Sequence, residues 1–464
     1  KAQARRAIRD EHLRDALGRL ETGFTAARAA AAARLPEFEA LRDQAVEIKN
    51  HTLEHLDFYL ERFADKVEES GGEVHWCVTP AEARQTILEI CRAADARTVT
   101  KSKSMIGEEI ALNPFLEENN IEPIETDLGE YIIQLAGEYP SHIIAPAVHK
   151  TKDQVADLFY ARHKGQGAER RLEEVEELVA EARAMLRHRF IAADVGITGA
   201  NFLVAETGTT AIVTNEGNGD LTQILPRVHI VLATLEKAVP TLDDMSTILR
   251  VLARSATGQE FSTYTTLSTG PKRPGDLDGP EAFHVILLDN GRSRLLGSEF
   301  RDVLRCIKCG ACMNHCPVYG SIGGHAYGWV YPGPVGAVLT PHLVGLKEAH
   351  HLPNASTFCG RCEEVCPMRI PLPGLMRRWR EQEFAAGMQP PRYRLGLALW
   401  AWLALRPGSY RLASALVIRL LRLLGARRGR LARLPFAHGW TAGRDMPVPE
   451  GGSFHAQWRR RGGA

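Results

Sequence analysis

Apolar positions in the first 70 residues recur at helical spacing. Leu53, Leu56, Phe58, Leu60, Phe63 and Val67 supply one face, and Gly71-Gly72 suits a left-handed C-terminal cap. The period then changes. Residues 73–78 read as a short strand, Thr79-Pro80 opens a helix with a capping hydroxyl and a proline in its first turn, and 98–100 begins another strand. That is a βαβ unit. A helix over 105–119, strands near 122–126 and 142–144, and an amphipathic helix over 169–187 continue the alternation expected of an α/β sheet, with Leu172, Val175, Leu178, Val179 and Leu186 inward. Strands at 202–205, 210–214, 229–233, 263–266 and 283–288 extend it, with a helix near 242–254. Asp289-Asn290-Gly291 then gives a hairpin-turn signal. The α/β region is expected to end near residue 297, where 298–304 begins a helix leading into a run of cysteines.

Length and composition place limits on this picture. At 464 residues the chain has room for about three domains of roughly 150 residues. With 44% hydrophobic and 24% charged residues, and Lys+Arg 57 against Asp+Glu 56, it sits at the globular average, which excludes a disordered, collagenous or supercharged chain. Charge is nevertheless uneven: residues 391–464 hold 14 arginines, no lysine and two acids, Asp445 and Glu450. The Leu/Trp/Arg mix over 394–424 suits docking to an acidic partner subunit or lying on an anionic membrane surface. Nucleic acid is disfavoured, since no basic-aromatic recognition motif accompanies the charge. The first 20 residues lack the apolar core of a signal peptide. Residues 321–346 are uncharged, but nine of the 26 are Gly or Pro, a loop's composition. The apolar run at 395–405 would make about 16 Å of helix, half a bilayer core. The expected location is therefore cytoplasmic, with peripheral attachment at the inner membrane face as the alternative.

The cysteines carry the chemistry. Seven of nine lie between Cys306 and Cys366; Cys77 and Cys91, in a strand and a helix, read as small buried hydrophobes. Cys306-x2-Cys309-x2-Cys312-x3-Cys316-Pro317 has the spacing of a bacterial-type [4Fe–4S] run, in which three ligands wrap one face of a cubane and the fourth serves a second cluster. Cys359-x2-Cys362-x3-Cys366-Pro367 repeats it, with Ser356 where the first cysteine would stand. If ligation crosses over, one cluster takes Cys306, Cys309, Cys312 and Cys366, and the other takes Cys316, Cys359 and Cys362. The missing fourth ligand is Ser356, water or a partner's side chain, or the second cluster is a [3Fe–4S] centre. A zinc site is the competing reading, but seven thiols exceed one tetrahedral site and a proline after each terminal Cys belongs to iron–sulfur runs. His315, between two ligands, is a candidate to hydrogen-bond cluster sulfur.

Taken with TKSKSM at 100–105, EEIALN at 108–113, ETDLGEYIIQL at 125–135, GITGANFLVAETGT at 196–209, NEGN at 215–218, GGHAYGWVYPGPVGAVLTP at 323–341 and RDMPVPEGGSFHAQW at 444–458, these runs make the whole chain resemble the lactate-utilisation protein B family. The resemblance implies a lactate-utilisation (LUD) α/β domain over 1–297, related in fold to the ribose-phosphate isomerase and CoA-transferase group. It also implies a helical, ferredoxin-like two-cluster domain over 298–390 and a basic C-terminal region over 391–464. The function it implies is an iron–sulfur electron-transfer subunit of a complex oxidising L-lactate to pyruvate. Its implied partners are a cysteine-rich redox subunit, a second LUD-domain protein and a quinone-linked acceptor.

Two alternatives stand beside it. In one, the α/β domain itself binds lactate or a phosphorylated or CoA-like ligand; in the other, the clusters sense redox state and the arginine-rich tail binds nucleic acid. Thr207-Gly208 between two strands offers amides and hydroxyls to an anion, and Lys101 and Lys103 at a strand end offer charge. The candidate ligand set is Lys101, Lys103, Glu206, Thr207, Gly208 and Asn215. Asp127 and Glu130 read as loop acids or a helix cap. No dinucleotide or flavin fingerprint is visible in the sequence, and no catalytic residue is assigned.

Overall fold

A computed structural model describes residues 2–163, 170, 172–434, 439, 441 and 444–462. The chain divides into two units at Gln382/Glu383.

The first unit is built on runs of β-branched and aliphatic residues too apolar to face water on either side. Its strands are β1 (Glu73–Cys77), β2 (Thr98–Lys101), β3 (Glu122–Glu125), β4 (Val195–Thr198), β5 (Phe202–Val204), β6 (Thr209–Thr214), β7 (Val228–Thr234), β8 (Ala238–Val239), β9 (Tyr264–Ser268) and β10 (Ala282–Leu288). Six of them form a sheet in the order β1-β10-β7-β4-β2-β3, every pairing parallel. The central strands read as continuous hydrophobic stretches because both faces are covered. Ile230, Leu232, Ile286 and Leu288 pack with Ile87, Leu88 and Cys91 on one side. Val231, Ala233, Val285 and Leu287 pack on the other with the N-terminal helices and with Cys312, Met313 and Trp379 of the cysteine-bearing segment. A smaller mixed sheet, β8-β5-β6-β9, joins this second layer.

Connections from β2 lead outward to β3, whereas those from β4 lead through β5 and β6 to β7 on its other side. The carboxyl ends of the adjacent strands β2 and β4 therefore flank a crevice where chain directions diverge, the usual position of a ligand site in an open parallel sheet. Gly196 in β4 permits this packing, since a Cβ there would lie 1.8 Å from the Thr222 carbonyl oxygen.

Several sequence expectations need correction. Phe58 is 55% exposed and Val175 also points to solvent, so the apolar faces are narrower than their spacing suggested. The helix expected over 105–119 breaks at Ala111, in the left-handed region, because Pro114 would collide with the carbonyl of Ile110 in a continuous helix. Residues 142–144 form no strand; the His142 Nδ1 accepts the amide N–H groups of Ile144 and Ala145 and holds a turn. Asn290 and Gly291 adopt positive φ as a hairpin turn would require, but β10 is parallel to both neighbours and the chain instead enters the helix Arg292–Leu296. The Gly/Pro-rich stretch 321–346 contains a buried helix, Gly333–Val344, its prolines tolerated in the first turn and at Pro341. The helix expected over 169–187 spans Val175–Ala192, its expected start lying partly outside the described residues. The turn expected as a helix over 298–304 is a 3₁₀ segment, Arg301–Arg305.

The second unit holds helices Pro391–Ala404 and Pro407–Gly425, a two-residue antiparallel ladder between Arg430–Leu431 and Met446–Pro447, and the helix Phe454–Arg460. Leu399, Trp400, Trp402 and Leu405 are exposed on the first of these helices. Among the described residues no helix is long and apolar enough to cross a membrane.

Candidate metal centre and adjoining cleft

Backbone geometry makes the two cysteine runs structural repeats. In the first, Lys308 and Gly310 both have positive φ, and Gly310 caps the short helix Ala311–Asn314. In the second, Phe358 and Gly360 do the same before Arg361–Glu364. The Lys308 amide donates to Cys306 Sγ at 3.4 Å, and the Phe358 amide donates to Ser356 Oγ at 3.1 Å. Ser356 thus occupies the place of Cys306 turn for turn. Pro317 starts the helix Pro317–Ile322 with Cys316 as its N-cap, which turns that thiol out of the first loop.

None of the nine cysteines is in a disulfide. Burial, then the neighbouring Cys366 and Cys306, pushes Cys309 up to about 12. Cys312 is raised well above its ordinary range by burial and by Cys306, Cys309 and Cys366. These four thiols form one group. Burial followed by Cys316 and Cys359 pushes Cys362 up to about 12, and Cys316 is raised by burial with Cys359 beside it, so these three form another. Thiols gathered in this way suit a metal centre, whose positive charge would displace their protons and relieve the repulsion between the thiolates. The donor set fits iron–sulfur ligation and exceeds a single zinc site. Cys77 and Cys91 are buried in the α/β layer away from both groups, and burial holds Cys91 at about 12. His315 is occupied locally, its Nδ1 lying 2.9 Å from the Ala311 carbonyl.

The N-terminal helices hold the second run in place. Arg42 donates to the carbonyls of Glu364 and Cys366 at 2.9 and 2.6 Å, and Arg28 donates to that of Val365 at 3.0 Å. Arg42, Ala45, Lys49 and Thr52 are all buried at spacings of three and four on one helix, so cations interrupting an apolar stripe were a signal available in the sequence. Lys49 donates to the carbonyls of Glu236 and Ala238, and burial lowers it to about 8.

A second cavity opens at the crevice between β2 and β4. Its volume is about 240 Å³, it is open to solvent at its mouth, and Ile307, Lys308 and Cys309 of the first cysteine run contribute to its lining. Of the six ligand candidates, the structure brings Lys103 and Asn215 to this cleft. Lys101 lies outside its lining, 1% exposed, and pairs with Glu125 at 2.7 Å and Glu108 at 3.4 Å. Burial opposes its charge, but these carboxylates hold it protonated, while burial and Glu125 push Glu130 well up. Glu206, Thr207 and Gly208 are not in the lining either. They form the turn at the start of β6, and a strand of six residues at about 3.3 Å each separates them from Asn215. Glu206 accepts the Leu242 amide at 3.2 Å at a helix start, and the Thr207 hydroxyl donates to Thr209 Oγ1 at 2.7 Å. Asp127 caps a helix, accepting the Glu130 amide at 3.1 Å. Lys237 and Asn218, which sequence reasoning missed, also line the cleft.

Comparison with known proteins agrees with this geometry. Family models match as a LUD domain over residues 60–288, a 4Fe-4S dicluster domain over 302–370 and the C-terminal region of lactate utilisation protein B over 385–463. A lactate utilization protein B of Shouchella clausii is 42% identical, covering 98% of this chain and 95% of its own, and that of Bacillus subtilis is 40% identical, covering 98% and 94%. An Escherichia coli protein described as the uncharacterized electron transport protein YkgF is 39% identical over 99% of this chain and 96% of its own. The chain belongs to the lactate utilisation protein B family.

Proposed function

We propose that this chain is the iron–sulfur electron-carrying subunit of a multi-protein system oxidising L-lactate to pyruvate. The carrying observation is the crossing of the two cysteine runs: Cys366 joins Cys306, Cys309 and Cys312, while Cys316 joins Cys359 and Cys362. This supports two [4Fe–4S] ligand sets, with the Ser356 oxygen at the fourth corner of the second. When bound, such clusters supply one-electron acceptance and release.

The chain's own residues set the conditions. Thiol protons leave as metal binds, and Gly310 and Gly360 let the backbone pass close to each site. Lys237 and Lys49 are within electrostatic reach of Cys306, and Arg28 of Cys309, so added negative charge at the first site is stabilised. The α/β unit extends to the ribose-phosphate isomerase and CoA-transferase class in this reading, supported by its parallel sheet with a cleft at the carboxyl ends of strands.

Removing a hydride and a proton from a hydroxy acid releases two electrons together, so another centre must take the pair and divide it. The proposed partners are a cysteine-rich redox subunit and a second LUD-domain protein, passing electrons to a quinone-linked acceptor. The exposed Trp400 and Trp402 on the helix Pro391–Ala404, with exposed Leu405 at its end, support docking to such a partner. The test is anaerobic purification with iron and sulfide analysis, then addition of L-lactate with and without the co-expressed partners. Cluster reduction only in the complete mixture is expected; protein holding zinc, or clusters that lactate and partners together leave oxidised, would overturn the proposal.

A further inference from the structure

Parallel pairing of β1 with β10 sets Glu73 opposite His284, and the two-residue period of a strand puts His75 on the same face as Glu73. Three ligand atoms therefore meet at the amino ends of these strands, the end opposite the cleft, and the two histidines come from positions 209 residues apart. His75 Nε2 lies 3.1 Å from His284 Nδ1, and Glu73 Oε2 lies 3.6 Å from His284 Nδ1 and 3.9 Å from His75 Nε2. The two carboxylate distances are too long for hydrogen bonds. A tetrahedral zinc ion about 2.0–2.1 Å from each ligand separates its ligand atoms by about 3.3–3.4 Å, whereas an octahedral ion with the same bond length separates neighbours by about 2.9 Å. The observed separations bracket the tetrahedral value.

The electrostatic setting agrees with the spacing. Among the described residues Glu73 has no lysine or arginine ion pair, so its charge faces the two imidazoles. Burial lowers both histidines below their ordinary range against the opposing pull of Glu73, so the rings are neutral near pH 7 and keep a lone pair for a metal. Side-chain exposure falls from 67% at Glu73 through 26% at His75 to 12% at His284, which roots the group in the sheet and leaves one side open to water. Two imidazoles, one carboxylate and an open position form a donor set that holds zinc with water in the fourth place. A second group of the same residue types, Glu138, His149 and His325, differs because Lys150 already holds its carboxylate.

We propose that Glu73, His75 and His284 bind a zinc ion through Glu73 Oε2, His75 Nε2 and His284 Nδ1, with water completing the tetrahedron. The site is separate from the cysteines and from electron carriage. Within its sheet β1 is an edge strand, hydrogen-bonded to β10 alone. Zinc there clips the edge strand to its neighbour across a long stretch of chain, which lowers the entropy the unfolded chain would gain by releasing it.

The test titrates the anaerobically purified, cluster-loaded full chain with zinc sulfate in competition with a chromophoric chelator. One saturable zinc per chain is expected, in the micromolar range or tighter, with iron content unchanged. Zinc K-edge EXAFS should show nitrogen and oxygen neighbours at about 2.0–2.1 Å and no sulfur at about 2.3 Å. Glu73→Gln and His284→Gln should each weaken zinc by about tenfold or more, since even removing a group that merely orients a ligand costs that much. His149→Gln should leave zinc binding unchanged. Zinc should also raise the thermal unfolding midpoint of the parent chain and not that of His284→Gln. Glu73 is mostly exposed, so Glu73→Gln keeps the test open if the histidine variant fails to fold. No saturable zinc would reduce the group to a hydrogen-bonded histidine pair and overturn the proposal. So would a zinc shell containing sulfur, which places the ion on the cysteines, or Glu73 and His284 variants that load iron and bind zinc as the parent does.

Discussion

Arg292 is a buried cation shared by two carboxylates from different parts of the chain, Glu109 and Glu236, and its removal should be felt throughout the first unit. It is 1% exposed, donates to Glu109 at 2.9 and 2.7 Å, and pairs with Glu236 at 3.1 Å. The Tyr331 hydroxyl also donates to Glu109, at 2.6 Å, which ties the helical segment after the first cysteine run to the same carboxylate. At an effective dielectric constant of about 20, the closer ion pair is worth about 6 kcal/mol gross and the longer about 5 kcal/mol. Desolvation cancels much of that, yet removing one partner strands two buried carboxylates, for a net loss of about 3–5 kcal/mol. Arg292→Met should therefore lower stability by that amount in urea unfolding followed by far-UV circular dichroism. The triple variant E109M/E236M/R292M should recover part of the loss, since neither carboxylate is left without the guanidinium, while Lys49 and Lys237 lose the attraction of Glu236. A change below about 1 kcal/mol in the single variant, or a triple variant no more stable than the single, would refute the electrostatic reasoning.

Three further outcomes follow from other parts of the molecule. Burial lowers His229 to about 3, so its folded form stays neutral while the unfolded chain takes up a proton. Stability should fall as pH drops below about 6.5, approaching about 1.4 kcal/mol per pH unit from this residue. His229→Gln should flatten the curve between pH 7 and 4, and coincident slopes would contradict the assignment. A Cβ on Gly336 would lie 1.6 Å from the Tyr331 carbonyl oxygen, so Gly336→Ala should cost about 3 kcal/mol in thermal unfolding, while Gly320→Ala, with open space around it, should be near neutral. Ser356→Cys should alter the EPR signal of the second cluster and leave the first unchanged; an unaltered spectrum would remove Ser356 from the ligand position.

Periodicity found β7 and β10 because strands covered on both faces leave unbroken apolar runs, but it missed the short central strand β4 and ran β5, β6 and β9, which form a second sheet, into the first. It misled where local chemistry intervened: the His142 ring bonding its own backbone, Pro114 ending a helix early, and an Asn-Gly turn leading into a helix. Cysteine spacing led to the same two groups of thiols that the structure brings together, because each run is local in sequence and the repeat of its turns is legible from the Cys and Gly positions. The cleft was only partly legible. Lys103 and Asn215 lie in recognisable motifs, but Lys237 reaches the same space from a different strand, and no spacing rule links them. Gly208 reads equally well as an anion loop or a packing turn, and the structure makes it the latter: its φ is left-handed and a Cβ there would lie 2.5 Å from the backbone of Lys66 and Val67.

The pairing of thiols across the two runs is tested most directly by EPR of the reduced protein carrying single cysteine replacements. The crossed arrangement predicts that Cys366→Ala abolishes the same signal as Cys309→Ala, and that Cys316→Ala abolishes the same signal as Cys359→Ala. Loss of the Cys359-dependent signal in Cys366→Ala, with the Cys309-dependent signal intact, would contradict it.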